Sequence, residues 1–491
     1  MLKLCYSPCS GHLTRPFSYQ IVFLVHTNGM EDHKITFENK IILAPMVRVG
    51  TLPMRLLALE YGADLVYSEE LVDLKLIKCF RTVNRVLQTV DFIDPSDGSV
   101  IFRTCDREKN KVILQLGTSC EKRAVLVGKL VQNDVAALDI NMGCPKEFSV
   151  KGGMGVALLS QQEKAMAILK SLVEHLKIPI TCKIRILPTI EETIEIVKKF
   201  ASAGVAAVAI HARMKDERPQ HDPHPDFIKA VVKAVRIPII ANGGSKEIEK
   251  HSDIIKFRNK CAANSVMIAR AAQNNVSIFK PDGVLLPVDD VIIRYLRICV
   301  DFDNTASNTK YCVQSMIKDQ QETARGRLFL NCQTLHQICS IWNLGDYCYE
   351  KQLEFQKKGN FGRRDVTPGF IPNDVIKEPE TKKSKVIDIC DEDIFERNVA
   401  FYRSNYIKDP DLPKSILHNY AKKNNIPMPI YETFQKDKLF RTKLKYNGKR
   451  YASTFWEKNK KYAEQGAALV CILFIGLVSE ESLIKNGSIL K

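Results

Sequence analysis

The chain is 491 residues long, 45% hydrophobic, with a formal charge of +16 and 15 cysteines. That length exceeds one core and calls for two to four domains, and the ordinary apolar fraction excludes a fibrous or wholly disordered chain. No apolar stretch reaches the roughly 20 residues that cross a bilayer, and scattered cysteines without a CxxC or a Cys/His quartet argue for reduced thiols in a cytoplasmic protein and against a metal site.

In chain order, residues 1–34 contain no acidic residue before Glu31 and one short apolar run, Ile21 to Val25. They read as an N-terminal extension, expected to be disordered, with Met30 a candidate translation start. Lys3 and Arg15 are too few for a transit peptide. Eight strand-like runs follow between Ile41 and Ala272: ILAPMV from Ile41, ADLVYSEE from Ala63, VILQLG from Val112, ALDINMG from Ala137, ITCKIRI from Ile180, AAVAIHAR from Ala206, PIIANGG from Pro238 and SVMIARAA from Ser265. All but the first two are separated by stretches of helical period and length. Such alternation predicts a (β/α)8 TIM barrel over 35–283, with an active site at the C-terminal ends of the strands. Met46, Glu69, Gln115, Asn141, Cys144, Lys183, Arg185, His211, Arg213, Asn242, Gly243, Gly244 and Arg270 stand there. So many polar groups on one rim point to an enzyme.

From Val284 to Gln356 apolar residues recur at three- and four-residue spacing, predicting a small helical domain. Residues 357–412 are charged and aperiodic and read as linker, with a short docked helix from Ile387 left undecided. A last module is placed at 413–472. KSILHNYAKKNN is an amphipathic helix, three alternating strands follow with an Asn447-Gly448 hairpin turn, and EKNKKYAEQGAALVCIL is a second helix. Between Pro413 and Gln465 stand 13 Lys plus Arg against 4 Asp plus Glu, more than half the chain's excess charge. Such focused basicity points first to nucleic acid. The α-β-β-β-α order with lysines at the final helix resembles a double-stranded-RNA-binding domain, which reads A-form shape and phosphates. The matching residues are Lys422 and Lys423 at the first helix, Lys449 and Arg450 at the hairpin, and Lys458, Lys460 and Lys461 at the last helix. Residues 473–491 form a tail without expected pattern.

ILAPMVRVG, NMGCPKEFSVKGGMGVALL, CKIR, IHAR, ANGG and ARAA together resemble the tRNA-dihydrouridine synthases over Ile41 to about Gln356. NMGCP followed by KGGMG is the specific pairing. The added RNA-binding module makes the chain most similar to the eukaryotic dihydrouridine synthase 2 type. The resemblance implies reduction of the C5–C6 double bond of a uridine in tRNA, at D-loop position 20, using bound FMN and NADPH. A monomer is expected.

The residues carry this chemistry in their own right. Cys144 lies between Gly143 and Pro145 just past a strand, and a thiol of ordinary pKa, about 8.5, is protonated at neutral pH and serves as a general acid. It is the expected proton donor to C5. Lys183 ends the fifth strand, where a cation stabilises an anionic flavin; His211 ends the sixth, placed to bond the flavin ring or its phosphate. Asn242-Gly243-Gly244 and Ala269-Arg270 follow the last two strands, where such barrels bind phosphate. Pro45, Met46, Val47 and Gln115 match family positions that line the isoalloxazine ring. Arg48, Glu69, Glu70, Asn141, Lys146, Lys151 and Arg185 are candidates to orient the base or its phosphates, or else to form rim salt bridges. Ala212 stands where the family often has Gly, and a methyl there is expected to crowd the flavin pocket slightly. Two rivals are a flavin dehydrogenase acting on a free pyrimidine, which has no use for an RNA-binding module, and a non-catalytic RNA-binding regulator, against which the intact Cys144, Lys183 and His211 count.

Overall fold

The computed structural model describes residues 35–95, 98–359, 394–406, 409–436, 439–457 and 459–489. The N-terminal extension 1–34, most of the expected linker, and Lys458 lie outside these residues.

Eight parallel strands close a barrel: β1 (Ile41–Leu43), β2 (Leu65–Val72), β6 (Val112–Gly117), β7 (Ala137–Met142), β8 (Ile180–Arg185), β9 (Ala207–His211), β10 (Ile239–Asn242) and β11 (Ser265–Ile268), with β11 paired back to β1. Their apolar runs are nearly continuous because packed side chains fill the inside and helices cover the outside. Alternation along each strand splits those runs. Ile42, Leu65, Tyr67, Ile113, Ala137, Ala207, Ala209, Ile240 and Met267 form one buried cluster with Phe37. The intervening residues, such as Leu43, Val66, Leu114, Leu138, Ile140, Val208 and Val266, join the larger core shared with the helices. The first set is the barrel interior, and its phase continues upward into Gln115, Asp139, Asn141, Lys183, Arg185, His211 and Asn242. A single alternation thus carries β6 to β10 from apolar floor to polar mouth.

Two connections differ from the sequence reading. The first two strands are joined by a helix after all, Leu52–Glu60, with Pro53 in its first turn. Between β2 and β6, where a helix was expected, only the four-residue helix Asp73–Leu76 forms, followed by the antiparallel sheet β3 (Phe80–Asn84), β4 (Thr89–Asp94) and β5 (Ser99–Thr104). Phe92 and Phe102 on β4 and β5 are buried and pair at 5.6 Å, which anchors this sheet to the main core. The alternation of β4 and β5 is the period-two signal that a helical reading overlooks.

Five helices, Val288–Asp301, Ala306–Met316, Ala324–Asn331, Leu335–Ile341 and Gly345–Lys357, form the helical region and share the barrel's core. Thr334 and Gln337 close a capping box on the fourth.

The C-terminal module has its own core. Helix Pro413–Lys423, strands β13 (Ile430–Lys436), β14 (Leu439–Tyr446) and β15 (Lys449–Ser453), and helix Lys460–Phe474 appear as read. Asn447 and Gly448 both have positive φ, as the tight hairpin turn requires. Two corrections enlarge the module. The end of the expected linker is strand β12 (Ile394–Arg397), not a helix, paired parallel to β15 as a fourth strand. The expected tail carries helix Glu480–Lys485, whose Leu483 is buried in the module's core, and Ile489 bridges back to Val399.

Candidate active site

A cavity of about 400 Å³ opens at the barrel mouth, lined by Cys144, Lys146, Arg185, His211, Arg213, Arg218, Asn242, Gly243, Gly244, Ala269 and Arg270 among others. The strand ends and the loops behind them thus converge on one space.

The Cys144 loop is shaped from below. Asn141, buried at the end of β7, accepts hydrogen bonds from the amides of Gly143 and Cys144, each at 3.0 Å. Arg185 donates to the Gly143 carbonyl at 2.9 Å and to the Met214 carbonyl at 2.8 Å. Asn141 is therefore committed to the loop and Arg185 ties two loops together while still lining the cavity. The Cys144 thiol is half-buried and stands in no disulfide among the described residues. Burial, and then the nearby Glu70 carboxylate, push its pKa up, so it stays protonated at neutral pH.

Beneath the mouth, Asp139 accepts hydrogen bonds from Gln115 at 2.9 Å and from Thr181 at 2.7 Å. Burial lifts this carboxyl to about 6. Burial, reinforced by Arg185, brings Lys183 down to about 8, with Asp139 opposing. His211 is held well below its ordinary value, first by burial and then by Lys183, Arg185, Arg213 and Arg270. Its imidazole is therefore held neutral, and Nδ1 is buried without a hydrogen-bond partner among the described residues. Arg213, buried, donates to the carbonyls of His221 at 2.9 Å and Gly243 at 2.6 Å, while Nη2 finds no partner among the described residues. The orphaned His211 and Arg213 nitrogens belong to cavity-lining residues. A group with acceptor atoms fits there.

On the other side of that cavity Asn242 donates to the Met267 carbonyl at 2.9 Å. Gly243 has φ +125, a conformation side chains rarely adopt, and a Cβ there would lie 3.2 Å from the Ala212 amide nitrogen. Arg270 is exposed at the rim. At strand β1, Pro45 and Met46 are half-buried and Val47 is exposed. Arg48 has φ +65 and its guanidinium stands over the Tyr311 ring at 5.4 Å. Glu69 accepts from the Arg48 amide at 2.8 Å.

Several expectations shift. Lys151 is exposed and pairs with Glu147 one turn earlier, a rim salt bridge. Ala212 is buried in the core and is not on the cavity wall, so its methyl does not crowd the pocket. Sequence reasoning missed Asp139 and Ser149, and the loop carrying Glu217 and Arg218, which lines the cavity. Asp139 was legible as the inward-phase neighbour of Asn141. The loop gives no periodic signal.

The description Dihydrouridine synthase (Dus) matches residues 42–285, and Double-stranded RNA binding motif matches 413–475. A Saccharomyces cerevisiae protein named tRNA-dihydrouridine(20) synthase [NAD(P)+] is 37% identical over 303 residues, 58% of this chain and 78% of that protein. The chain belongs to the dihydrouridine synthase family. A Schizosaccharomyces pombe protein of the same name is 40% identical over 294 residues, again 58% of this chain but 60% of that longer protein. The family match covers the barrel and ends where the helical region begins, so the cavity lies wholly within the dihydrouridine synthase portion. No helix among the described residues is long and apolar enough to cross a membrane.

Proposed function

We propose that this chain reduces the C5–C6 double bond of a uridine in tRNA to dihydrouridine, with NADPH as reductant and FMN as bound cofactor. The observation that carries the reading is a free thiol, Cys144, on the wall of a basic cavity at the mouth of a dihydrouridine synthase barrel. The cavity residues would hold FMN, which would be the source of the hydride that reduction at C6 requires. Lys183 and neutral His211 would hold the ring, Asn242, Gly243, Gly244, Ala269 and Arg270 the phosphate, and Pro45, Met46, Val47 and Gln115 the remaining edge. The unpartnered nitrogen of His211 fits such a group.

Cys144 gives its proton to C5 and leaves as thiolate. Asn141 and Arg185 fix the loop that aims it, which saves the entropy of orienting an acid at each turnover. Arg185 and Arg218, which line the cavity, would meet the entering base and its phosphates, with Arg48 and Glu69 nearer strand β1 as further candidates. The lysines of the RNA-binding module supply affinity that offsets swinging the uracil out of its stack, about a few kcal/mol. Position 20 is the uridine named for the yeast relatives, and we extend it to this chain. A monomeric, cytoplasmic enzyme completes the reading.

The test is nucleoside analysis of unmodified tRNA incubated with the purified protein and NADPH. Dihydrouridine at position 20, made by a protein that releases FMN on denaturation, is the expected result. A colourless protein that leaves tRNA unchanged would overturn the reading in favour of an RNA-binding regulator.

A further inference from the structure

Glu70 owes its position to an irregularity in its strand. Val66 and Tyr67 of β2 pair with Val112 and Ile113 of β6, then one extra residue enters β2 so that Glu70 faces Gln115. In a regular strand Glu69 would follow Leu65 and Tyr67 into the barrel. The bulge hands that inward phase to Glu70 and leaves Glu69 to the Arg48 amide. Two glycines clear the space. A Cβ at Gly117 would lie 2.7 Å from Glu70 Oε1, and one at Gly155 would lie 2.4 Å from the Cys144 carbonyl oxygen and 2.6 Å from Ser149 Oγ. Gly155 also has φ +59, which side chains rarely adopt. The carboxylate so admitted stands beside the Cys144 loop through Ser149, and its charge pushes the thiol's pKa up. Its Oε1 accepts from Ser149 Oγ at 3.4 Å, and its Oε2 is buried with no partner among the described residues.

We propose that Glu70 is a positioning residue that holds the proton on the Cys144 thiol and returns one to the sulfur after each turnover. The inference rests on the uridine-reducing reading given above. When the thiol acts, its S–H bond breaks and a C5–H bond forms. The thiolate then lies against a carboxylate, and two adjacent anions draw in a proton. A hydronium ion or buffer acid from bulk solvent gives its proton to the Glu70 carboxylate, its conjugate base stays in solvent, and the carboxyl passes that proton to the thiolate sulfur, restoring the thiol. Burial raises both groups, Glu70 and Cys144, which favours the neutral form of each. The cations facing the pair are Lys146 toward Glu70, and Lys183 and Arg185 toward Cys144. They limit the shift without removing it.

The full-length protein tests this by the pH dependence of Cys144 alkylation with iodoacetamide, followed on the Cys144 peptide by mass spectrometry. Glu70→Gln keeps the shape and removes the charge, so Cys144 should react faster at about pH 7.5, by roughly tenfold for each unit its pKa falls. Glu70→Asp, which keeps the charge on a shorter arm, should fall between. On tRNA, Glu70→Gln should slow steady-state turnover about tenfold or more, below the roughly 100-fold at which direct general acid–base effects begin, because Cys144 itself is kept. A single turnover, which uses the resident proton, should slow far less, and added acetate should restore part of the steady-state rate. An alkylation profile unchanged in Glu70→Gln, or equal losses in single and multiple turnover, would overturn the proposal. A wild-type protein that makes no dihydrouridine would instead sink the reaction class and the proton-return step with it, while the alkylation comparison still decides whether Glu70 governs the thiol.

Discussion

The barrel mouth and the C-terminal module both gather cations, but in opposite surroundings. At the mouth Arg213 is buried, Lys183 and Arg185 are half-buried, and both arginines bond backbone carbonyls. In the module Lys422, Lys423, Lys449, Lys460 and Lys461 are exposed. Desolvation governs the first set, so protonation states move and neighbours are coupled. The second set stays hydrated, so each charge acts separately and is screened by salt. A lost residue at the mouth should therefore change chemistry, and one in the module should change affinity. Cys144→Ala probes the contrast most strongly. Dihydrouridine formation should fall at least about 100-fold, the scale of a lost general acid, while tRNA affinity and bound flavin persist. Turnover at the wild-type rate would remove Cys144 from the reaction.

Lys183 gives the next effect, through pH. In the free protein it is held at about 8. An anionic group bound beside it favours the charged form and raises that value in the complex. Complex formation then takes up a proton only where the free protein has lost it. FMN affinity should be flat below about pH 8 and fall as pH rises beyond it, by at most roughly tenfold per unit. Lys183→Met should bind FMN more weakly at neutral pH and lose that slope. Fluorescence titrations on both proteins decide it, and a wild-type affinity independent of pH would separate Lys183 from the flavin.

A smaller effect tests the module's fourth strand. Phe395 on β12 stacks on Tyr451 at 5.5 Å and meets Phe474 at 4.8 Å. Phe395→Ala should cost the module about 1–2 kcal/mol, as for a half-buried aromatic truncated in place. Thermal melts report the loss. An unchanged melt would mean that β12 adds no stability.

The barrel was legible because strands buried on both faces leave long apolar runs, and because their last inward residues are polar. NMGCP, CKIR, IHAR and ANGG stand at strand ends for that reason. What stayed hidden depends on non-local pairing. Nothing near Ile394 announces a partner at Arg450, and β12 is only four residues long. The sheet β3–β5 hid because a βαβ expectation fills any gap of that length with a helix. At the mouth, Glu69 and Glu70 are equivalent in sequence; only the bulge against β6 decides which one meets Cys144.

The smallest effect belongs to the exposed lysines. Lys460 and Lys461 open the module's helix Lys460–Phe474, and Asn459 caps it by accepting from the Tyr462 amide. Both side chains are exposed, so replacing them leaves the core and the cap intact. If each neutralises one phosphate, the double variant Lys460→Ala/Lys461→Ala should lower the slope of log affinity against log salt by roughly one per lost contact. Affinity for tRNA should fall several-fold at low salt and converge on the wild type as salt rises. Single-turnover reduction at saturating tRNA should not change, because neither lysine lines the cavity. Binding isotherms at several salt concentrations, set beside single-turnover rates, separate the two regions. A slower chemical step at saturation would mean that the module also shapes the barrel mouth, and the division between chemistry and affinity would fail.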